Sequence, residues 1–323
     1  MIELAEIEAA RDRIAGTAVR TPLLRLQTGG LRAGDGPAEI YVKLENLQPI
    51  NSFKIRGAVN AVRQAPAGER AKGLVTASAG NMAQGVAWTA RSFGVPATIV
   101  VPEQAPQAKL AAIERLGGRV IKRPYDDWWN VIVEGRADGV DGLFVHPVQD
   151  PAVMAGNGTI GLEILEDLPD PDAVVIPYGG GGLTCGIASA IKALRPATRI
   201  VTAEPEGGAA LAAAFAGGEP ATVDFRASFV DGAGSRRVLD SMWPRVKPLV
   251  DTAVSVPVSD VEAAIRTLAE RARVIAEGAG ALATAAALAG QAGPGKVVCV
   301  VSGGNLDLSL LARVLDGAPA DAR

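Results

Sequence analysis

Reactive side chains are scarce in this chain: one histidine (His146), two cysteines (Cys185 and Cys299), six Phe, four Trp and three Tyr among 323 residues. A metal centre built from His and Cys is thereby excluded in practice, because such sites need three or four of these ligands together. Any Ser-His or Cys-His nucleophile system would have to use His146. The two cysteines stand in unrelated contexts, Leu-Thr-Cys-Gly and Val-Val-Cys-Val, which is not the disulfide framework of a small secreted domain. A reducing cytoplasm is the expected compartment. Charge of one sign is lacking as well: the formal net charge is −3, so no strong field favours nucleic acid or an anionic membrane surface. No apolar run is long enough to cross a bilayer, and the acidic opening Met1-Ile2-Glu3-Leu4 lacks the basic-then-apolar layout of a signal peptide. Chemistry on a small molecule is the better expectation, and something other than the chain's own imidazoles and thiols must supply it.

The chain does have enough apolar content, 48%, to bury one large core or two modest ones. Helical and strand patterns alternate along it. Residues 2–15 carry apolar positions at helical spacing, 39–44 read as a strand, and from Lys54 the pattern turns helical. Residues 73–76 are β-rich, 82–93 helical, 95–101 a buried strand, 105–116 helical and 119–122 a strand. After Pro151 the rhythm resumes with a helix at 158–168, strand 173–177, helix 183–194, strand 199–204, helices 260–272 and 279–289, strand 296–302 and a short helix 306–315. Residues 207–218 read as a helix with flexible ends at most. This βαβ alternation predicts an α/β fold with parallel sheets flanked by helices. Two α/β units meet near residues 142–150, and the chemical motifs lie on both sides, which points to a cleft between lobes.

The strongest of those motifs is Tyr178-Gly179-Gly180-Gly181-Gly182-Leu183, set between a strand and a helix. Bare backbone N–H groups and a helix N-terminus make an anion cradle, for a phosphate in particular, although a flexible strand-to-helix turn has the same composition. No Gly-Lys-Ser/Thr follows, so it is not a Walker loop. In Asn51-Ser52-Phe53-Lys54-Ile55-Arg56-Gly57-Ala58, a lysine opens a helix, where the positive dipole end disfavours its ammonium form and suits it to Schiff-base chemistry. Taken alone, Lys54 is one solvated lysine among many. Thr76-Ala77-Ser78-Ala79-Gly80-Asn81-Met82 again runs from strand to helix, as a second anion site or an ordinary cap. Ser302-Gly303-Gly304-Asn305 closes an apolar strand at its carboxyl end, where α/β folds bind ligands.

In order, Lys43 to Gln48, Ser52 to Ala58, Ser78 to Gln84, Met154 to Ile160, Gly179 to Leu183, Glu204-Pro205, Glu277 to Ala281 and Ser302 to Asn305 resemble the pyridoxal-phosphate enzymes of fold type II, most closely the threonine/serine dehydratase and serine racemase branch. The resemblance covers nearly the whole chain. It implies a two-lobed, tryptophan synthase β-like fold, with residues 1–66 and 146–323 as the large cofactor domain and 70–143 as a small, mobile domain carrying the substrate loop. It implies Lys54 as the Schiff-base lysine with Phe53 beside the cofactor ring. Gly179, Gly180, Gly181, Gly182 and Leu183 would hold the phosphate, Asn81 would bond the ring hydroxyl, and Ser302 would face the pyridine nitrogen. The loop Ser78, Ala79, Gly80, Asn81 and Met82 would receive the substrate carboxylate. A serine at the ring nitrogen, unlike an aspartate, favours prompt loss of a β-leaving group over a fully delocalised carbanion.

The implied activity is a pyridoxal 5'-phosphate-dependent ammonia-lyase that turns a β-hydroxy α-amino acid such as L-threonine or L-serine into a 2-oxo acid and ammonia, in a homodimer. Relatives commonly read Ser-Ser-Gly-Asn-His where this chain has Ser78-Ala79-Gly80-Asn81-Met82, and Ala79 removes the acid/base that racemases use opposite the lysine. After Glu204-Pro205 no acidic metal ligand follows, so no metal is expected. Alternatives are a lyase or β-replacement enzyme for a bulkier substrate such as a β-aryl serine, then a racemase; outside this scaffold, a nicotinamide-dependent oxidoreductase or a silent binding protein. The pair Trp128-Trp129 is either packing or a contact to an aromatic substrate. Arg236 and Arg237 read as surface charges, His146 as structural, and Cys185 and Cys299 as small buried residues. With only a short helix and tail after Asn305, no appended regulatory domain and no end-product inhibition are expected.

Overall fold

A computed structural model describes residues 1–29 and 38–320. Residues 30–37 of the expected large domain, and the last three of the tail, lie outside the described residues. Two sheets organise the described chain. The first has six strands in the order β1-β2-β10-β7-β8-β9, namely β1 (Leu23–Arg25), β2 (Ala38–Leu44), β10 (Gly295–Val301), β7 (Ala173–Pro177), β8 (Arg199–Pro205) and β9 (Thr252–Val256). Every pair is parallel except β1 with β2. The second is a four-stranded parallel sheet in the order β5-β4-β3-β6: β5 (Gly118–Arg123), β4 (Ala97–Pro102), β3 (Leu74–Ala77) and β6 (Leu143–Phe144). Apolar side chains fill β7 and residues 297–301 of β10 on both faces, as parallel strands under helices require.

Several elements depart from the sequence reading. The helix expected from 158 begins two turns earlier, as Pro151–Asp167, because Asp150 caps it by accepting from Ala152 N and Pro151 sits at its first position. Helix Tyr125–Glu134 and strands β1, β6 and β9 depart from the expected elements; β1 and β9 are edge strands that bury few of their positions. The helix expected over 260–272 splits into Val258–Thr267 and a π-helical turn, Leu268–Ala272, that ends on Arg273 at φ 58°.

Helix Lys54–Gln64 is anchored from below by a buried ionic network. Arg56 donates to Glu45 at 2.8 Å and to Glu163 at 2.6 Å, and Lys43 Nζ reaches Glu163 at 2.6 Å. Thr21 donates to Glu45 at 2.5 Å. The charges balance within the set, which is what a buried ionic cluster needs to avoid a large desolvation cost. The network ties the helix to β2 and to helix Pro151–Asp167, and so fixes Lys54 at the carboxyl end of the large sheet.

Candidate active site

The four motifs argued above from residue chemistry lie at or just beyond the carboxyl ends of parallel strands. β7 runs into the glycines 179–182, β10 into Ser302, β3 into Ser78, β2 toward Lys54 by way of residues 45–53, and β6 into His146 and Pro147. Strand Ala173–Pro177 leads through Tyr178 to helix Gly182–Leu194, whose N-cap Gly181 sits at φ 95°, a conformation open to glycine and strained for other residues. A Cβ on Gly180 would lie 2.5 Å from Val148 Cγ2, and one on Gly182 would lie 2.8 Å from the Val148 carbonyl. The loop is therefore a wall of bare backbone. The first-turn N–H groups of its helix have no intrahelical acceptor, so an anion of phosphate size is the natural guest.

Lys54 faces this loop across the Pro147–Gln149 turn. Its Nζ donates to the Pro147 carbonyl at 3.1 Å and stands 5.1 Å from the centre of the Phe53 ring. Burial pushes the amine down from the usual lysine range to about 8, with the Glu277 carboxylate pulling it back upward. Phe53 is buried against Tyr178 and Leu183 in the large-sheet core. Phe53 N donates to Ser302 O at 3.1 Å, and Ser52 bridges to Gly303, so the lysine and the end of β10 are one unit.

Asn81 opens helix Asn81–Phe93, and its amide is held at both ends: Nδ2 donates to Glu277 Oε1 at 2.6 Å, and Oδ1 accepts from Asn305 Nδ2 at 2.7 Å. One N–H of Asn81 remains for a ligand. Ser78 Oγ accepts from Gly80 N at 3.2 Å, which shapes the loop before that helix. Met82 is buried in the core of the four-stranded sheet with Val86 and Ala87, so toward a ligand it offers only its backbone.

Glu277 is the residue that the reading by motif passed over as a participant. It precedes helix Gly278–Leu288, is half-buried, and is pushed up to about 7 by burial, with Asp231 acting in the same direction and the Asn81 amide against it. A Cβ on Gly303 would collide with its carboxylate. One signal was present: Glu277 is the single charged side chain between Arg273 and Gln291.

Other candidates fall outside this constellation. Trp128 packs with Ala77, Val100, Ile132 and Phe144, and Trp129 is 39% exposed beside it. Arg237 pairs with Asp240 at the surface, and Arg236 stacks on Phe225. Cys185 and Cys299 are buried and free, with burial pushing Cys185 up to about 11. Glu204 spends both carboxylate oxygens on the backbone N–H groups of Leu211 and Ala212, at 3.0 and 2.9 Å. Among the described residues no cluster of three His, Cys, Asp or Glu side chains is placed to hold a metal ion.

A family profile described as "Pyridoxal-phosphate dependent enzyme" matches residues 14–303. The chain belongs to that family. An L-threonine ammonia-lyase of Thermotoga maritima is 40% identical over 324 residues, a match that spans 98% of this chain and 79% of the relative. A catabolic L-threonine dehydratase of Staphylococcus aureus is 38% identical over 98% of this chain and 92% of its own. Among solved structures, maize serine racemase superposes with a TM-score of 0.87 at 32% identity, covering 98% of this chain and 97% of that one. Threonine deaminase isoform 2 of Solanum lycopersicum gives 0.84 at 34% identity, with 97% and 91% covered. The pyridoxal-phosphate enzyme thus has the fold of type II members, parallel sheets flanked by helices. The site's chemistry suits the cofactor: a backbone cradle with no room for a Cβ, a desolvated lysine with a lowered pKa, and an amide held with one donor to spare.

Proposed function

We propose that this enzyme is an ammonia-lyase for β-hydroxy α-amino acids of the L-threonine and L-serine type, releasing a 2-oxo acid and ammonia. The observation that carries the reading is Lys54, a half-buried amine with a pKa lowered to about 8, in a chain aligned along 98% of its length with an L-threonine ammonia-lyase. Pyridoxal phosphate, when bound, supplies the carbonyl that captures an amino group and the electron sink beside the α-carbon. The remaining work belongs to the chain. Lys54, neutral for part of the time near its pKa, takes the α-proton and holds it at Nζ. The backbone N–H groups of residues 179–183 bind the phosphate, and the Ser78–Met82 loop at the start of helix Asn81–Phe93 binds the substrate carboxylate. Asn81 would hold the ring through its remaining N–H, and Ser302 would offer the ring nitrogen a neutral hydroxyl. Ala79 places no acid/base opposite Lys54, which favours elimination over racemisation.

In this reading residues 1–66 and 146–323 form the cofactor lobe and 70–143 the small lobe, with the Lys109–Asp231 ion pair joining helix Gln107–Arg115 to the loop beside Gly232. The proposed assembly is a homodimer and the proposed compartment the cytoplasm, where two free cysteines stay reduced. No helix among the described residues is long and apolar enough to cross a membrane. The test is a panel of L-threonine, L-serine, their D-forms and β-aryl serines, assayed for 2-oxo acid. Turnover of L-threonine or L-serine above the others is the expected result, and turnover of aryl substrates alone would replace this reading with the bulkier-substrate lyase.

A further inference from the structure

The one histidine in the chain lies against the turn that touches both Lys54 and the phosphate cradle. His146 follows β6, and its Nδ1 accepts hydrogen bonds from two successive backbone amides, Val148 N at 3.0 Å and Gln149 N at 2.9 Å. Its Nε2 meets the Ile132 carbonyl, on helix Tyr125–Glu134, at 2.8 Å. One protonation state satisfies all three contacts: neutral imidazole with the proton on Nε2 and the lone pair on Nδ1. The other side of the same turn is functional. Pro147 O accepts from Lys54 Nζ, while the Val148 side chain and carbonyl back Gly180 and Gly182 so closely that no Cβ fits.

We propose that His146 is a positioning residue: as a neutral imidazole it fixes the Pro147–Gln149 turn, and through that turn it sets the place of the Lys54 amine and the depth of the phosphate cradle. Protonation would put a hydrogen on Nδ1 against two amide hydrogens, which the turn can accommodate only by moving. The inference rests on the proposed roles of Lys54 and the glycine loop, not on which amino acid is the substrate.

The ring's surroundings favour its neutral form. Burial and the Lys54 ammonium disfavour a second positive charge, while Asp150 on the ring's own segment and the Ile132 carbonyl act in the opposite direction. Phe144 contributes an aromatic edge at 6.0 Å. The net effect holds His146 below the usual histidine value of 6.5. The sign follows: a depressed value means that the neutral form's contribution is complete above 6.5 and is lost as the pH falls through the folded-state value. The turn therefore loosens on the acid side.

Because the chain has a single histidine, a long-range proton–nitrogen NMR spectrum of the ¹⁵N-labelled protein reads that imidazole without assignment. The expected spectrum at neutral pH is the Nε2–H tautomer, titrating below free histidine. An Nδ1–H tautomer, or an imidazolium at neutral pH, would overturn the inference, and this readout needs neither cofactor nor substrate. Two variants then test the consequence by fluorescence titration with pyridoxal phosphate. His146→Phe removes the acceptor and should weaken cofactor affinity about tenfold, in line with leaving buried amides unpaired. His146→Asn offers an oxygen to the same amides and should recover most of that loss. Equal affinity in His146→Phe and the parent would contradict the proposal. So would equal losses in both variants, which would mark the ring as packing only. Failure of the parent to bind pyridoxal phosphate would instead refute the proposed function, while the NMR result would still stand or fall separately.

Discussion

Gly180→Ala perturbs the proposed phosphate cradle by a single methyl group, and its cost can be worked from neighbouring atoms. The added Cβ would lie 2.5 and 2.8 Å from the two Val148 methyls and 3.2 Å from Val148 Cβ. Such neighbours must move by most of an ångström, and Val148 has little freedom to do so. Its branched side chain is stiff at χ1, its N–H is held by His146, and its carbonyl already abuts Gly182. The strain falls on the loop, which opens and misaims its N–H groups. Overpacking of this kind costs about 1–3 kcal/mol, equivalent to about 5- to 150-fold weaker cofactor binding. Gly180 does not occupy a left-handed conformation, so the effect is steric rather than a matter of backbone strain. Equilibrium titration with pyridoxal phosphate measures it, and Val148→Ala in the same chain should restore much of the affinity, since the two substitutions share one contact. Binding by Gly180→Ala within about twofold of the parent, or no rescue by Val148→Ala, would refute the assignment of this loop as the cradle.

Four further outcomes follow from other parts of the molecule. Glu277→Gln removes the carboxylate that raises Lys54, so the pH midpoint for amine labelling of Lys54 in the cofactor-free protein should fall below its value of about 8. Glu277 itself is raised from 4.5 to about 7, so its contribution to stability is full below 4.5 and declines as pH rises through about 7; thermal unfolding of Glu277→Gln across that range should lack the decline. On the proposed roles, Ala79→Ser would supply a hydroxyl opposite Lys54 and should raise the share of inverted amino acid relative to 2-oxo acid, read by chiral chromatography. Glu163→Gln leaves Lys43 and Arg56 short of an anion in the buried network and should cost about 3–5 kcal/mol in urea unfolding, as breaking a buried ion pair does.

Much of this molecule is legible in its sequence, and the parts that are not share physical causes. Strand Ala173–Pro177 stands where its unbroken apolar run ends on proline, and β10 is one residue out at each end. The placement of the glycine loop, Lys54 and Ser302 after strand ends is readable in the sequence, because each follows an apolar run closed by glycine, proline or a polar residue. The first two turns of helix Pro151–Asp167 are hidden in the sequence because Gly156 and Gly158 dilute the helical signal. Those glycines answer to tertiary packing instead: a Cβ on Gly156 would lie 2.5 Å from the Arg56 carbonyl. Edge strands β1 and β9 gave little sign because they bury little. Glu277 and His146 acquire their roles from neighbours 196 and 14 residues away, Asn81 and Ile132, and only the folded chain brings those together.

Reduction with borohydride of the protein loaded with pyridoxal phosphate, followed by peptide mapping, tests most directly the assignment on which the proposed chemistry depends. A single pyridoxyl modification on the peptide that contains Lys54, absent in Lys54→Ala together with release of 2-oxo acid from L-threonine, is the expected result. Modification of a different lysine, or ammonia release that survives Lys54→Ala, would contradict it.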